Sequence, residues 1–127
     1  MCMTATSDAY VTDKDIVCYV ARYKDGKHFC SPFRDTKWML NKLKKTNTKQ
    51  PELRRKGDTI AGGFFHSLLT KEKAFQYSWK IWIGIFVFRA IIPSGSVVIM
   101  GNIHKDSIGC GTPCICSNQL MLVEEVT

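Results

Sequence analysis

Carboxylates are scarce in this chain of 127 residues. It carries 11 Asp and Glu against 18 Lys and Arg, and the only glutamates are Glu52, Glu72, Glu124 and Glu125. Chemistry that needs two cooperating carboxylates is therefore poorly supplied. Glu124 and Glu125 are adjacent on an expected strand, so they point to opposite faces and cannot share one substrate atom. The chain also lacks an unbroken apolar run of about 20 residues, the length needed to span a bilayer. Its most apolar stretch, Ile81 to Met100, is interrupted by Arg89 and broken at Pro93-Ser94-Gly95-Ser96, and reads as two strands joined by a turn. Met1 to Tyr10 has neither the basic start nor the apolar centre of an export signal, so a cytoplasmic location without membrane contact is expected.

Further absences narrow the chemistry. The three histidines, His28, His66 and His104, stand at no spacing that pairs one with a cysteine, which argues against a thiolate nucleophile. No zinc-finger spacing, RRM-type aromatic signature, internal repeat or low-complexity tract is present. Six cysteines are present (Cys2, Cys18, Cys30, Cys110, Cys114 and Cys116), and a reducing compartment would keep them as thiols. Cys110, Cys114 and Cys116, with His28 and Cys30, could be gathered around zinc. Their spacing is not that of paired CxxC knuckles, and Cys116 sits in an apolar strand where cysteine behaves as a small hydrophobe.

What the chain does have is a concentrated positive charge. Lys37, Lys42, Lys44, Lys45, Lys49, Arg54, Arg55 and Lys56 are opposed within their segment only by Glu52, so that segment carries the whole net charge of +7. Such a field raises the local concentration of anions: nucleic acid, nucleotide or an acidic protein face. A solvated surface that keeps the protein soluble is the plainer reading of the same residues.

Apolar and charged contents of 45% and 23% are those of a globular chain, and the length suits one domain. Residues 1–13 are small and polar and are expected to be loose, with a single domain over 14–127. Ile16 to Lys24 reads as a strand, Asp25-Gly26 as a hairpin turn and His28 to Phe33 as the returning strand. Asp35 or Thr36 caps an expected helix with Trp38, Met39, Leu40 and Leu43 as its apolar stripe, followed by a basic loop over Thr46 to Asp58. Strand Ile60 to Leu69 leads to a second helix, Lys71 to about Trp79, capped by Thr70. Ile81 to Ile92 is the expected central strand, with strands Val97 to Gly101 and Ile115 to Val126 after it. The expected fold is α+β: a small twisted mixed or antiparallel sheet of five to six strands with two packed helices. Arg89, inside the central strand, needs a partner: a structural one is expected, the alternative being that it points into an anion-binding cleft.

The order of some short segments resembles the ADP-ribosyltransferase family. These are Tyr19-Val20-Ala21-Arg22 on the first strand, Gly63-Phe64-Phe65-His66-Ser67, then Ile91-Ile92-Pro93-Ser94-Gly95, and Cys116-Ser117-Asn118-Gln119. They are also similar to those of short uncharacterised bacterial and phage proteins with Gly-Phe-His-Ser and Ile-Pro-x-Gly segments. The resemblance implies a cleft holding Arg22, His66, Ser67 and Gln119. It equally implies loss of transferase activity, because Ser117 and Gln119 stand where the family has glutamates, and neither can carry the negative charge that stabilises a developing ribosyl cation. The expected function is thus a non-enzymatic basic module for an anionic macromolecule or nucleotide, of a size and charge that suit a phage or bacterial inhibitor-type protein, with no cofactor. An NAD-using transferase and a zinc scaffold are the alternatives, and the oligomeric state is left open.

Overall fold

The computed structural model describes residues 3–25, 28–31, 34–60, 63–81, 85–103 and 112–126. In chain order the strands are β1 (Met3–Ala5), β2 (Tyr10–Val11), β3 (Ile16–Asp25), β4 (His28–Ser31), β5 (Arg34–Trp38), β6 (Leu43–Lys45), β7 (Thr59–Ile60) and β8 (Phe65–Leu68). After helix α1 (Lys71–Ile81) come β9 (Ile85–Ile92), β10 (Val97–Ile103), β11 (Pro113–Ser117) and β12 (Gln119–Val126). A 3-10 turn spans Pro51–Leu53. The expectation of two helices on a sheet of five to six strands is overturned: the fold is mostly β, one sheet of twelve strands with one short helix among the described residues.

The missing helix is the one expected around Trp38. Arg34–Trp38 is instead extended and pairs with β4, Asn41 turns the chain at a φ of 59°, and Leu43–Lys45 pairs with β12. Sheet partners supply the backbone hydrogen bonds that a helix would have made internally, so tertiary pairing overrides local propensity. Lys42 and Lys45 would also repel each other one turn apart on a helix. Of the expected stripe only Trp38 is buried; Met39, Leu40 and Leu43 are between 38% and 46% exposed. The second helix does form, and the Thr70 Oγ1 accepts the Lys73 N–H at 3.2 Å, as its cap should. Within the segment over 1–13, β1 lies between β10 and β7, with Met3 and Ala5 buried.

The strand expected from Ile81 starts later, at Ile85, since Ile81 ends α1; β9 lies inside the sheet, antiparallel to β3 on one side and β12 on the other. The turn from β9 to β10 places Gly95 at a φ of 87° and closes with Ser96 N–H donating to the Pro93 carbonyl, a type II arrangement that needs glycine there. Arg89 meets Glu124, Nε to Oε1 at 2.9 Å, and Lys24 meets Glu125 at 3.1 Å, so the two late glutamates serve as partners for strand cations. The expected last strand is two strands. β11 pairs with β8 and β10 while β12 pairs with β9 and β6, and only Asn118 separates them. Asn118 is held at this bend: its Oδ1 accepts Val97 N–H at 2.9 Å and its carbonyl accepts Thr46 N–H at 2.9 Å.

Alternation along the strands divides the core in two. Cys18 and Val20 of β3, Phe88, Ala90 and Ile92 of β9, and Leu120 and Leu122 of β12 pack with Trp38 on one side. Ala21 and Val87 face the other way, into a cluster with Met3, Ile60, Leu68, Ile99, Cys114 and Cys116 that Ala74 of α1 covers. No helix among the described residues is long and apolar enough to cross a membrane.

Gly101 of β10 marks a close approach between strands. A Cβ there would lie 2.6 Å from both the Met3 Sδ and the Thr4 carbonyl oxygen. One contact is with fixed backbone, so the site cannot relax cheaply. Gly101→Ala is expected to destabilise the protein by about 2–3 kcal/mol through overpacking, read as a lower urea midpoint at unchanged slope.

Candidate functional site

The basic segment does not form one continuous face. Its first half gathers around the end of β5 and the edge strand β6. Lys37, Lys42 and Lys44, with Trp38, Met39 and Leu43, line a surface depression of about 240 Å³. Trp38 is only 2% exposed, so it forms a wall of this depression and is not a free stacking platform. The Lys44 Nζ lies 5.4 Å from the indole centroid and donates to the Lys37 carbonyl, which fixes it over the ring. The Arg22 guanidinium lies 5.1 Å from the same centroid, and Phe65 meets the indole edge-on at 4.9 Å. Two cations thus share one buried aromatic ring. The indole Nε1–H has no hydrogen-bond acceptor among the described residues.

The second half is tied down differently. Arg54, Arg55 and Lys56 follow the 3-10 turn and lead into β7, at the opposite end of the strand order from β6. The Asp58 carboxylate accepts the Arg55 N–H and the Asp8 carboxylate accepts the Lys56 N–H, both at 2.9 Å. The Arg55 Nη1 donates to the Glu52 carbonyl at 2.9 Å, and Arg54 stands 5.9 Å from the Phe64 ring centroid. Two carboxylates thus anchor the backbone of this group, whereas the lining of the β6 depression includes none. Lys45 and Lys49 are exposed, and Lys45 is in register with Gln119.

The residues that the family resemblance placed in one cleft come from three strands, β3, β8 and β12. Arg22, 7% exposed, is on the Trp38 side of β3 and donates from Nη1 to the Ala21 carbonyl at 2.7 Å. Ser67 and His66 are successive residues of β8 and so face opposite sides of the sheet. Gln119 begins β12, where its Nε2 donates to the Ser96 Oγ at 3.2 Å beside the β9–β10 turn. Arg22 and Ser67 do share one neighbour, the buried Cys18. Burial pushes this thiol from 9.0 up to about 11, while the Ser67 hydroxyl and the Arg22 charge pull it the other way.

Of the expected zinc ligands, Cys110 and the His28 and Cys30 side chains lie outside what the structure describes. Among the described residues no three His, Cys, Asp or Glu side chains are grouped to hold a metal ion. Cys114 and Cys116 are fully buried in β11, as small hydrophobes would be. Their approach to the Met3 thioether, 3.2 and 3.4 Å, was not legible in the sequence, since β1 and β11 are far apart along it. Trp38 was also missed as a site residue. The Lys42-Leu43-Lys44 alternation was its only local signal, a period of two that belongs to a strand. No family model, no curated protein and no solved structure matches the chain.

The Cys18 thiol has a consequence for alkaline stability. Its pKa is raised on folding, so its contribution is complete below about pH 9 and is lost as pH climbs toward 11, where the unfolded chain has released a proton that the folded chain retains. A displacement of that size corresponds to about 3 kcal/mol. The wild type should therefore lose stability more steeply between pH 9 and 11 than Cys18→Ala does, in parallel denaturant titrations; superimposable curves would rule out this coupling.

Proposed function

We propose that the protein is a non-enzymatic basic binding module that holds a phosphate-bearing partner, nucleic acid or nucleotide, at the Lys37–Lys44 depression. The observation that carries this reading is the convergence of Lys37, Lys42 and Lys44 on one concavity walled by Trp38. Phosphate oxygens accept hydrogen bonds from ammonium groups, and a partly apolar wall strengthens each of those charge-assisted bonds by excluding water. Lys44 is pre-positioned by its bond to the Lys37 carbonyl, which lowers the ordering cost of binding.

A second reading, an acidic protein face, is favoured by the exposed Met39, Leu40 and Leu43 interleaved with these lysines. Apolar contacts at the centre and a charged rim are what protein interfaces use. Salt separates the two. For nucleic acid, the logarithm of affinity should fall steeply and linearly with the logarithm of salt concentration. Lys37→Gln with Lys42→Gln should reduce that slope by about two, roughly one per lysine, at unchanged thermal stability. An unchanged slope would show that these lysines touch no phosphate, and a flat dependence in the wild type would move the assignment to a protein partner.

Transferase chemistry has little to support it. Gln119 presents an amide engaged with Ser96 and carries no charge that could stabilise a ribosyl cation. Incubation with labelled NAD is expected to release no nicotinamide and to leave no label on protein; turnover at a measurable rate would reverse the assignment from binder to enzyme.

A further inference from the structure

Three sulfur atoms meet in the interior, away from the basic depression. Cys114 and Cys116 are alternate residues of β11 and point to the same side of the sheet. Met3 comes from β1, which does not pair with β11; β10 lies between them in the sheet. The residue of β10 opposite Cys114 is Gly101, which is also opposite Ala5 of β1. Because Gly101 has no side chain, the Met3 thioether crosses β10 there and reaches both thiols, Sδ to Sγ at 3.2 Å for Cys114 and 3.4 Å for Cys116. All three residues are fully buried.

We propose that Cys114, Cys116 and Met3 form a site for Cu(I). Two thiols and a thioether are soft ligands, and soft ligands select a soft ion. The surroundings exclude the commoner alternatives. Ile60, Phe64, Ile99 and Ile103 belong to the same buried cluster, and among the described residues it includes no carboxylate, the ligand calcium and magnesium prefer. Zinc takes four ligands from cysteine, histidine and carboxylates, and the described residues group no three of these. Cu(I) accepts three sulfurs, and an apolar shell shields it from water. The ion enters already reduced, so no electron moves. Each Cu–thiolate bond forms as a thiol S–H breaks, and the protons pass to solvent.

Simple core packing of sulfur predicts none of this, which makes the test direct. The full chain is titrated anaerobically with Cu(I) against bicinchoninate, with zinc in a parallel arm. One Cu(I) per chain is expected to be held against the competitor, with three sulfur neighbours by X-ray absorption. Met3→Leu conserves volume and keeps the core. It should leave two sulfur neighbours and weaken binding by at least about tenfold, with unchanged circular dichroism. Cys114→Ala with Cys116→Ala should hold no Cu(I) at this competitor strength. The proposal is overturned if the wild type yields all its copper to bicinchoninate, if Met3→Leu binds as tightly as wild type, if the double variant retains the ion, or if zinc binds in preference.

Discussion

The bend at Asn118 is the constraint on which the rest of the architecture rests. A strand that ran straight from Pro113 to Val126 could serve one pair of neighbours. Bent at Asn118, the same chain pairs with β8 and β10 before the bend and with β9 and β6 after it. That double service brings Ile115, Leu120 and Leu122 into one cluster with residues of β3, β9 and β10. It also delivers β6 to its edge position, since β6 pairs with β12 and the Asn118 carbonyl takes up the Thr46 N–H just beyond it. The basic depression therefore inherits its place from the corner of a strand that contributes none of its lining.

Much of the sheet was legible because its strands obey simple rules. Ile16 to Lys24 is rich in β-branched and aromatic residues, Asp25-Gly26 signals a hairpin, and β3 and β4 do pair antiparallel with Asp25 opposite His28. The Thr70 cap and Glu72 located α1 without ambiguity. The Trp38 region misled because its apolar spacing fits a helix, whereas what decides its conformation is pairing with strands distant in sequence. β1 and β2 were invisible for a related reason. Two- and three-residue strands carry no periodicity, and Met3 and Ala5 become core only because β10 arrives beside them. For the candidate site, the lysines were evident from composition, but their division into a lined depression and a group whose backbone is anchored by carboxylates depends on Asp8 and Asp58, which lie outside the basic segment.

The lysines of β6 also answer a problem that any such sheet has. An edge strand presents unpaired backbone groups to other chains, and charge on that edge discourages indiscriminate pairing. Lys44 and Lys45 lie on that edge strand, beside exposed Leu43. Protection against self-association and attraction of an anion are not exclusive, because the same ammonium groups repel a second copy of this cationic surface and attract an oppositely charged one. A binding site at a charged edge thus requires little departure from what stability already demands.

The crossing of Met3 over Gly101 bears on how the chain reaches its native state. β1 belongs to the first residues of the sequence and its ladder partner β10 to the last third, with Met3 opposite Ile103. A pairing of such separation closes a very large loop, and topologies dominated by such loops fold slowly. During synthesis β1 can meet β7 early, but its ladder with β10 must wait until β10 has left the ribosome. That interval, more than the finished structure, is when this protein is most exposed to aggregation and to chaperone capture.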